Sequence, residues 1–114
     1  MNLGQRAKFE PLRSVAFGSI SGTYTAIGTP IGDAAHAIFI DNLTDANMFI
    51  SLDGINNHIV VAANSGRVID ISTNRIGPVE NLQLPQNITF YVKQVTGAPS
   101  LGSIYVGVMY ASIN

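Results

Sequence analysis

Two histidines, each preceded by an aspartate, are the residues of this sequence whose chemistry comes closest to catalysis. His36 follows Asp33 by three residues, and His58 follows Asp53 by five residues. An Asp–His pair can orient a base that activates a nucleophile. The sequence contains no G-x-S-x-G motif to present a serine, and no third partner is identifiable. Both histidines fall at strand ends beside turn aspartates, so we expect structural roles for them and no enzymatic activity.

Metal binding would need ligands from several separate segments. A zinc site takes three or four convergent ligands, and two histidines without any cysteine supply too few unless distant aspartates join them. Asp41, Asp45 and Asp53 cluster around one predicted hairpin and offer oxygen ligands that suit calcium. They lack the dense D-x-D-x-D spacing of a dedicated calcium loop and match ordinary turn chemistry. The sequence therefore predicts no metal and no cofactor.

Nucleic-acid and carbohydrate binding are the other chemistries to weigh. The net charge is −1, and no glycine motif matches a phosphate-binding loop. Most aromatic residues lie on predicted strands without basic neighbours, which is typical of core packing rather than base stacking. We therefore expect no nucleic-acid partner. A carbohydrate-binding β-sandwich usually offers tryptophan, which is absent here, but tyrosines can substitute and keep that alternative open.

The elements that must position all of these residues are β-strands. Short segments alternate apolar and polar residues or are rich in β-branched and aromatic residues, and Gly, Pro, Asn and Asp separate them. This pattern predicts an all-β, single-domain β-sandwich of about eight antiparallel strands, jelly-roll-like in strand number. The segment 73–87 is predicted to be a long connection with a short extended piece near residues 82–84. The predicted strands are 13–20, 23–27, 35–42, 47–53, 58–62, 67–72, 88–95 and 103–112.

The first 12 residues differ from the rest, because they show neither helical nor strand periodicity. We predict an extended N-terminal arm over residues 1–12 and a β-sandwich domain over residues 13–114. Residues 1–13 carry Arg6, Lys8 and Arg13 against Glu10, a balance of +2, and the remainder of the chain has a balance of −3. A basic arm on a mildly acidic body can dock on an acidic neighbour.

The composition indicates that the chain functions by associating with other protein chains. Charged residues make up 11% of its 114 residues, against about 25% in ordinary soluble domains. Interface cores are depleted in charge in the same way, so we expect a homo-oligomer. The absence of cysteine excludes disulfides and thiolate chemistry. The N-terminal segment lacks the apolar core of a signal peptide, and no run is long enough for a membrane span, so we expect no membrane association.

One stretch of the chain carries a family resemblance. The segment FIDNLTDANMFISLDGINNHIVVAANSGRVIDISTN (39–74), together with GAPSLGSIYVGVMYAS (97–112), resembles small β-sandwich virion proteins of tailed bacteriophages. The quoted motifs consist of turns and strands, with no catalytic signature. The resemblance implies a capsid decoration (cement) protein, a head–tail connector or a tail component, located in the virion and made in the host cytoplasm. Its implied partners are the major capsid protein or other virion proteins.

These observations lead to three functional hypotheses. The first is a non-enzymatic capsid decoration protein that stabilises the shell through subunit contacts, and the second is a connector or tail component of the same virion. The third is a carbohydrate- or host-receptor-binding β-sandwich module. Deleting residues 2–12 should weaken assembly and leave the fold intact. The predicted interface residues are those of the basic arm and of the loops at the hairpin tips: Arg6, Lys8, Phe9, Arg13, Asp53 and Asn56.

Overall fold

The computed structural model of the chain describes residues 5–70 and 84–113. These residues form nine strands in two antiparallel sheets, with a short 3-10 turn at Phe17–Ser19, so the predicted all-β sandwich is confirmed. The strands are β1 (Gln5–Phe9), β2 (Arg13–Ala16), β3 (Thr25–Ala26), β4 (Ala35–Asn42), β5 (Met48–Ser51), β6 (Ile59–Val61), β7 (Ser65–Asp70), β8 (Tyr91–Gln94) and β9 (Ser103–Ile113).

The order of the strands is that of a jelly roll. One sheet, called here the large sheet, has the order β1-β9-β4-β7, with β2 also paired to β9. The other, the small sheet, has the order β3-β8-β5-β6. Phe9 of β1 lies opposite Met109, and Arg13 of β2 lies opposite Val106, so β1 and β2 occupy successive stretches of β9. Counted as one interrupted strand, they give eight strands that pair first with last, second with seventh, third with sixth and fourth with fifth, which is a rolled-up hairpin.

The core lies between the two sheets and follows from the alternation of side chains along each strand. On β9, Ile104, Val106 and Val108 are fully buried, whereas the residues between them point to the outer face of the large sheet. Burying each large apolar side chain stabilises the fold by about 2 kcal/mol. β9 lies between β1 and β2 on one side and β4 on the other, so it is a central strand of the large sheet. The largest fully buried side chains are Phe90, Ile27, Ile31, Ile38, Ile40, Met48, Ile50, Ile104, Val61, Val92, Val106 and Val108.

The N-terminal arm predicted over residues 1–12 needs a correction. Residues 5–9 are extended, as expected, but they are paired with β9 from Gln5 opposite Ile113 to Phe9 opposite Met109. The backbone N–H of Glu10 continues this pairing by donating to the carbonyl of Val108 at 3.1 Å. The periodicity failed to show this strand because its described side chains, at residues 7–9, are all exposed. Residues 1–4 lie outside the described residues.

Several predicted boundaries also shift. The strand expected over residues 13–20 ends at Ala16, because the Phe17 N–H donates to the carbonyl of Gly102 and the chain enters the 3-10 turn. Leu84 forms an isolated bridge with Ala35, which agrees with an extended piece at that end of the predicted connection. Residues 71–83 lie outside the described residues. Within the described part of the chain, no helix has the length and hydropathy needed to cross a bilayer.

Candidate interaction surfaces

The outer face of the large sheet carries a cluster of apolar side chains, called here the apolar face, in which three are exposed (Phe9, Leu12 and Val68) and two are partly buried (Phe39 and Met109). Phe9, Leu12 and Val68 are 63%, 64% and 66% exposed. The ring centroids of Phe9 and Phe39 lie 5.9 Å apart in a tilted arrangement, so β1 and β4, on either side of β9, present one aromatic surface. Side chains of this size and exposure, lying together, indicate an interaction surface.

The pairing register explains why these side chains form one surface. Phe39 of β4 lies opposite Gly107 of β9 on one side and opposite Val68 of β7 on the other. Because Gly107 has no side chain, Leu12 and Phe39 lie over it: a Cβ built there would be 3.6 Å from Leu12 Cδ1 and 3.7 Å from Phe39 Cβ. The apolar face therefore continues across β9 without a gap.

Polar groups border the apolar face in one row of the sheet. Tyr105 of β9 lies opposite Ser14 of β2 and opposite Asp41 of β4, and Asp41 in turn lies opposite Gly66 of β7. The Asp41 carboxylate leans over Gly66, which has room for it because a Cβ at that position would overlap Asp41 Oδ1. In this row, the hydroxyls of Ser14 and Tyr105 lie on the half formed by β2 and β9. The carboxylate of Asp41 lies on the half formed by β4 and β7.

The basic residues of the predicted interface are separated by the structure. Arg6 lies in β1 opposite Ser112, and Lys8 is exposed opposite Tyr110. Phe9 belongs to the apolar face. Arg13 points elsewhere and bonds within the chain: its Nε donates to the Thr29 carbonyl at 2.7 Å and its Nη2 to the Pro30 carbonyl at 3.0 Å. The structure therefore places Arg13 as a link between β2 and the loop at residues 28–33.

Glu10 completes this link. Its Oε1 accepts from Arg13 Nη2 at 2.8 Å, and its Oε2 accepts from the backbone N–H groups of Gly32 and Asp33, each at 2.9 Å. The side chains of Arg13 and Glu10 are 10% and 7% exposed. Burial raises the pKa of Glu10, but these hydrogen bonds and the positive charge of Arg13 hold it below its ordinary value. Hydrogen bonding to Glu10 raises the pKa of Asp33.

The second predicted interface region is the loop over residues 51–58, called here the Asp53 loop. Asp53 Oδ1 accepts from the Ser51 hydroxyl and the Ile55 N–H at 2.8 Å, and from the Asn56 N–H at 2.9 Å. Asp53 Oδ2 accepts from Asn56 Nδ2 at 2.8 Å. These bonds to the carboxylate, with those to the Asn56 backbone foremost, lower the pKa of Asp53 far below its ordinary value. Asp53 and Asn56 thus define the shape of the loop.

His58 closes the Asp53 loop rather than forming a catalytic triad. Its Nδ1 accepts from the Leu52 N–H at 3.0 Å, and its Nε2 lies 3.9 Å from Asp53 Oδ2. A serine triad needs the histidine between the hydroxyl and the carboxylate. Here the carboxylate lies between them, because the Ser51 hydroxyl donates directly to Asp53. This arrangement orders a loop and does not place His58 as a base beside the Ser51 hydroxyl.

Two aromatic rings lie beside Lys93 of the small sheet, next to the Asp53 loop. Lys93 Nζ lies 4.8 Å from the centroid of the Tyr24 ring and 5.9 Å from that of the Phe49 ring. The Tyr24 hydroxyl donates to the Asn57 side chain, which joins this group to the loop. The ring of Tyr91 packs against Gly54, where a Cβ would lie 3.3 Å from it. We call Tyr24, Phe49, Tyr91 and Lys93 the aromatic platform.

The other candidate ligands are dispersed. His36 is buried in β4, where the register shifts between Ala35 and Ala37. The carboxylate of Asp45 binds the backbone N–H and the hydroxyl of Ser100, and these bonds lower its pKa. Asp41, Asp45 and Asp53 thus have separate surroundings, and among the described residues no group of three His, Asp or Glu side chains is placed to hold a metal.

Of the residues that form the apolar face, the sequence predicts only Phe9 as an interface residue. The signal that was available is the alternation in β4, where Ile38 and Ile40 are buried and Phe39 between them must point the other way. Residues 35–38 are all buried, so the run as a whole is typical of a buried strand and Phe39 does not stand out. Comparisons with known proteins do not assign the chain to a family, since no protein-family model, no curated protein and no solved structure matches it.

Proposed function

We propose that this chain is a non-enzymatic structural protein of a virion, most specifically a capsid decoration protein that stabilises the shell through subunit contacts. The observation that carries the proposal is the apolar face on the outside of a jelly roll. Phe9, Leu12 and Val68 are each more than 60% exposed there, and water around them is released when a partner covers the face. A head–tail connector or tail component of the same virion is the closest alternative, since it would use the same face.

The sandwich suits a role that depends on packing. The core between the sheets holds β1, β9, β4 and β7 in one register, so the apolar face is presented as a preformed surface. Preformed surfaces lose little conformational entropy on binding. Covering each of the three most exposed side chains would contribute about 1 to 2 kcal/mol. Multivalent repetition over a symmetric shell then gives tight binding from weak single contacts.

Immunogold electron microscopy of particles purified from infected cells tests the location. An antibody against this chain should label the shell in a regular array. Label confined to the neck or tail would replace the decoration role by the connector or tail role. Particles without label would contradict a virion role altogether.

A matched pair of variants tests the surface. Phe9→Glu places a charge on the apolar face, and Ile55→Glu places the same charge on the Asp53 loop, where Ile55 is 79% exposed. We expect Phe9→Glu to reduce co-sedimentation with particles at least tenfold, which corresponds to about 1.4 kcal/mol. Ile55→Glu should leave it unchanged. Equal co-sedimentation of both variants and the wild type would show that decoration does not depend on the apolar face.

The aromatic platform favours a second candidate, saccharide binding by a host-contacting module. Tyr24 and Phe49 flank Lys93, and the amides of Asn56 and Asn57 lie on the adjoining loop. Aromatic rings beside amide groups are suited to the apolar faces and hydroxyls of sugars. A glycan array tests it: selective binding that Phe49→Ala abolishes and Phe9→Glu preserves would favour this function. An array without selective signal would dismiss it.

A further inference from the structure

We propose that the partner covering the apolar face is a second copy of this chain, so that two large sheets pack face to face in a two-fold symmetric dimer. The inference rests on the proposed function and names a second copy as the partner that covers the apolar face, so that pairs of chains would decorate the shell. Face-to-face packing of two sheets is a common arrangement, with aligned strands and side chains interdigitating between layers about 10 Å apart. A two-fold interface requires that the surface be complementary to itself.

The strand order shows which two-fold axis meets this requirement. An axis parallel to the strands, passing between β9 and β4, exchanges the two halves of the large sheet. It places β9 of one copy over β4 of the other, and β1 and β2 of one copy over β7 of the other. Residues that lie opposite one another within one sheet therefore come face to face between the two copies.

Polar groups complement one another under this operation. Tyr105 lies opposite Asp41 in the pairing of β9 with β4, so the axis brings Tyr105 of each copy over Asp41 of the other. Because the Asp41 carboxylate leans over Gly66, it would lie between the hydroxyls of Tyr105 and Ser14 of the second copy. A hydroxyl donating to a carboxylate is a strong hydrogen bond, and the symmetry forms it twice.

Apolar groups are present in both halves that the axis superimposes. Phe9, Leu12 and Met109 lie on the β1, β2 and β9 half, and Phe39 and Val68 lie on the β4 and β7 half. Each half therefore meets apolar side chains of the other copy.

The area of the face is of the size that a dimer needs. Four strand positions spaced about 4.8 Å apart, over strands about 27 Å long, give a flat footprint of about 500 Å². Side chains standing on this footprint raise its accessible area towards the roughly 800 Å² per partner of a stable interface. A second copy thus covers the apolar face without any further element.

Sedimentation-velocity ultracentrifugation at micromolar concentration tests the dimer. A single chain has a mass of 12.1 kDa, so the expected species has twice that mass. Val68→Glu, on the apolar face, should return the protein to monomer. Val60→Glu is the matched control, because Val60 is 45% exposed on the outer face of the small sheet, and it should remain dimeric. A monomeric wild type, or a Val68→Glu variant that stays dimeric with unchanged circular dichroism, would overturn the inference.

Thiol crosslinking tests the axis itself, since the chain has no cysteine. Tyr105→Cys protein is mixed with Asp41→Cys protein and treated with a short bismaleimide. Tyr105 and Asp41 each lie only about 4.8 Å sideways from the same residue of the second copy, so we expect crosslinked dimer from the mixture and from each variant alone. Asn56→Cys by itself is the control, since Asn56 lies on the Asp53 loop beside the small sheet, and it should stay unlinked. Crosslinking of Asn56→Cys equal to that of the other variants, or none in the Tyr105→Cys and Asp41→Cys mixture, would rule out this axis.

These results separate the inference from the proposed function. A monomeric wild type that still decorates particles overturns the dimer and leaves the decoration role standing. A dimer with the predicted crosslink whose particles carry no immunogold label supports the dimer and removes the virion role.

Discussion

Arg13 and Glu10 form a buried ion pair, with Nη2 2.8 Å from Oε1, at the point where β1 passes into β2. The same guanidinium donates to the carbonyls of Thr29 and Pro30, and the same carboxylate accepts from backbone N–H groups at residues 32 and 33. The pair therefore joins the edge of the large sheet to the loop that leads from β3 into β4. The pair thereby stabilises this junction between the sheet and the loop.

We expect Arg13→Ala to destabilise the fold by about 2 kcal/mol. The substitution removes the ion pair and leaves a nearly buried Glu10 without its main partner. The measurement is urea unfolding followed by circular dichroism. Lys8→Ala is the control, because Lys8 is exposed, and it should change stability by less than about 0.5 kcal/mol. Equal midpoints for the two variants would contradict the role given to Arg13.

The pH dependence of stability should show the lowered pKa of Glu10. A carboxylate whose pKa is lower in the folded state stabilises the fold above its ordinary value of 4.5 and loses that contribution as the pH falls below it. The stability advantage of wild type over Glu10→Gln should therefore be constant from pH 7 to about 5 and shrink at lower pH. Urea midpoints measured along the pH series check this. An advantage that does not change below pH 4.5 would be inconsistent with it.

The pKa of Asp33 should change stability with pH in the opposite direction from that of Glu10. Its pKa lies above the ordinary 3.8, first because of its hydrogen bond with Glu10, so Asp33 takes up a proton more readily in the folded state than in the unfolded chain. This difference stabilises the fold at low pH and is lost as the pH rises through the folded-state pKa. Asp33→Asn keeps a donor to Glu10 without the charge, and it should be at least as stable as wild type at pH 7. A clear loss of stability at that pH would contradict a destabilising interaction between the two carboxylates.

Asp53→Ala should loosen the Asp53 loop without unfolding the sandwich. The substitution removes the acceptor of the N–H groups of Ile55 and Asn56. Hydrogen exchange of these two amides should accelerate at least tenfold, whereas the amide of Val106 in the core should keep its protection. Unchanged exchange at Ile55 and Asn56 would mean that the backbone holds the loop without the carboxylate.

Gly102→Ala should be strongly destabilising. Gly102 has a φ of 86°, and a Cβ there would overlap the carbonyl of Leu43, which is backbone and cannot move aside. We expect a cost of at least about 2 kcal/mol by thermal or urea unfolding. Gly97→Ala is the matched control, because a Cβ at Gly97 meets nothing within 4 Å, and it should be nearly neutral. A neutral Gly102→Ala would show that this turn tolerates a side chain.

Deleting residues 2–12 is expected to destabilise the fold, which reverses the expectation from the sequence. The deletion removes β1 from the edge of the large sheet and removes Glu10 from Arg13. We expect a loss of about 3 kcal/mol or more, measured by thermal unfolding against the full chain. A truncated chain with an unchanged midpoint would support the free arm that the sequence predicts.

How well the sequence predicts the observed strands differs from one strand to another. β4 was predicted with its observed bounds, 35–42, because its apolar, β-branched run is buried locally in almost any sandwich. β1 was missed, because its described side chains, residues 7–9, are all exposed and it is held by backbone pairing to β9. Backbone pairing leaves no pattern in the residue types of the strand.

The candidate sites show the same difference between features that follow from the local sequence and features that depend on strand pairing. The sequence by itself determined the all-β class and the turn residues Asp53 and Asn56, because alternation and turn chemistry are local properties. Only the tertiary structure decided that Arg13 is engaged within the chain and that Phe9, Leu12, Phe39 and Val68 share one exposed face. These residues are far apart in sequence, and their proximity depends on which strands pair, which is settled by the global burial of the core rather than by any local preference.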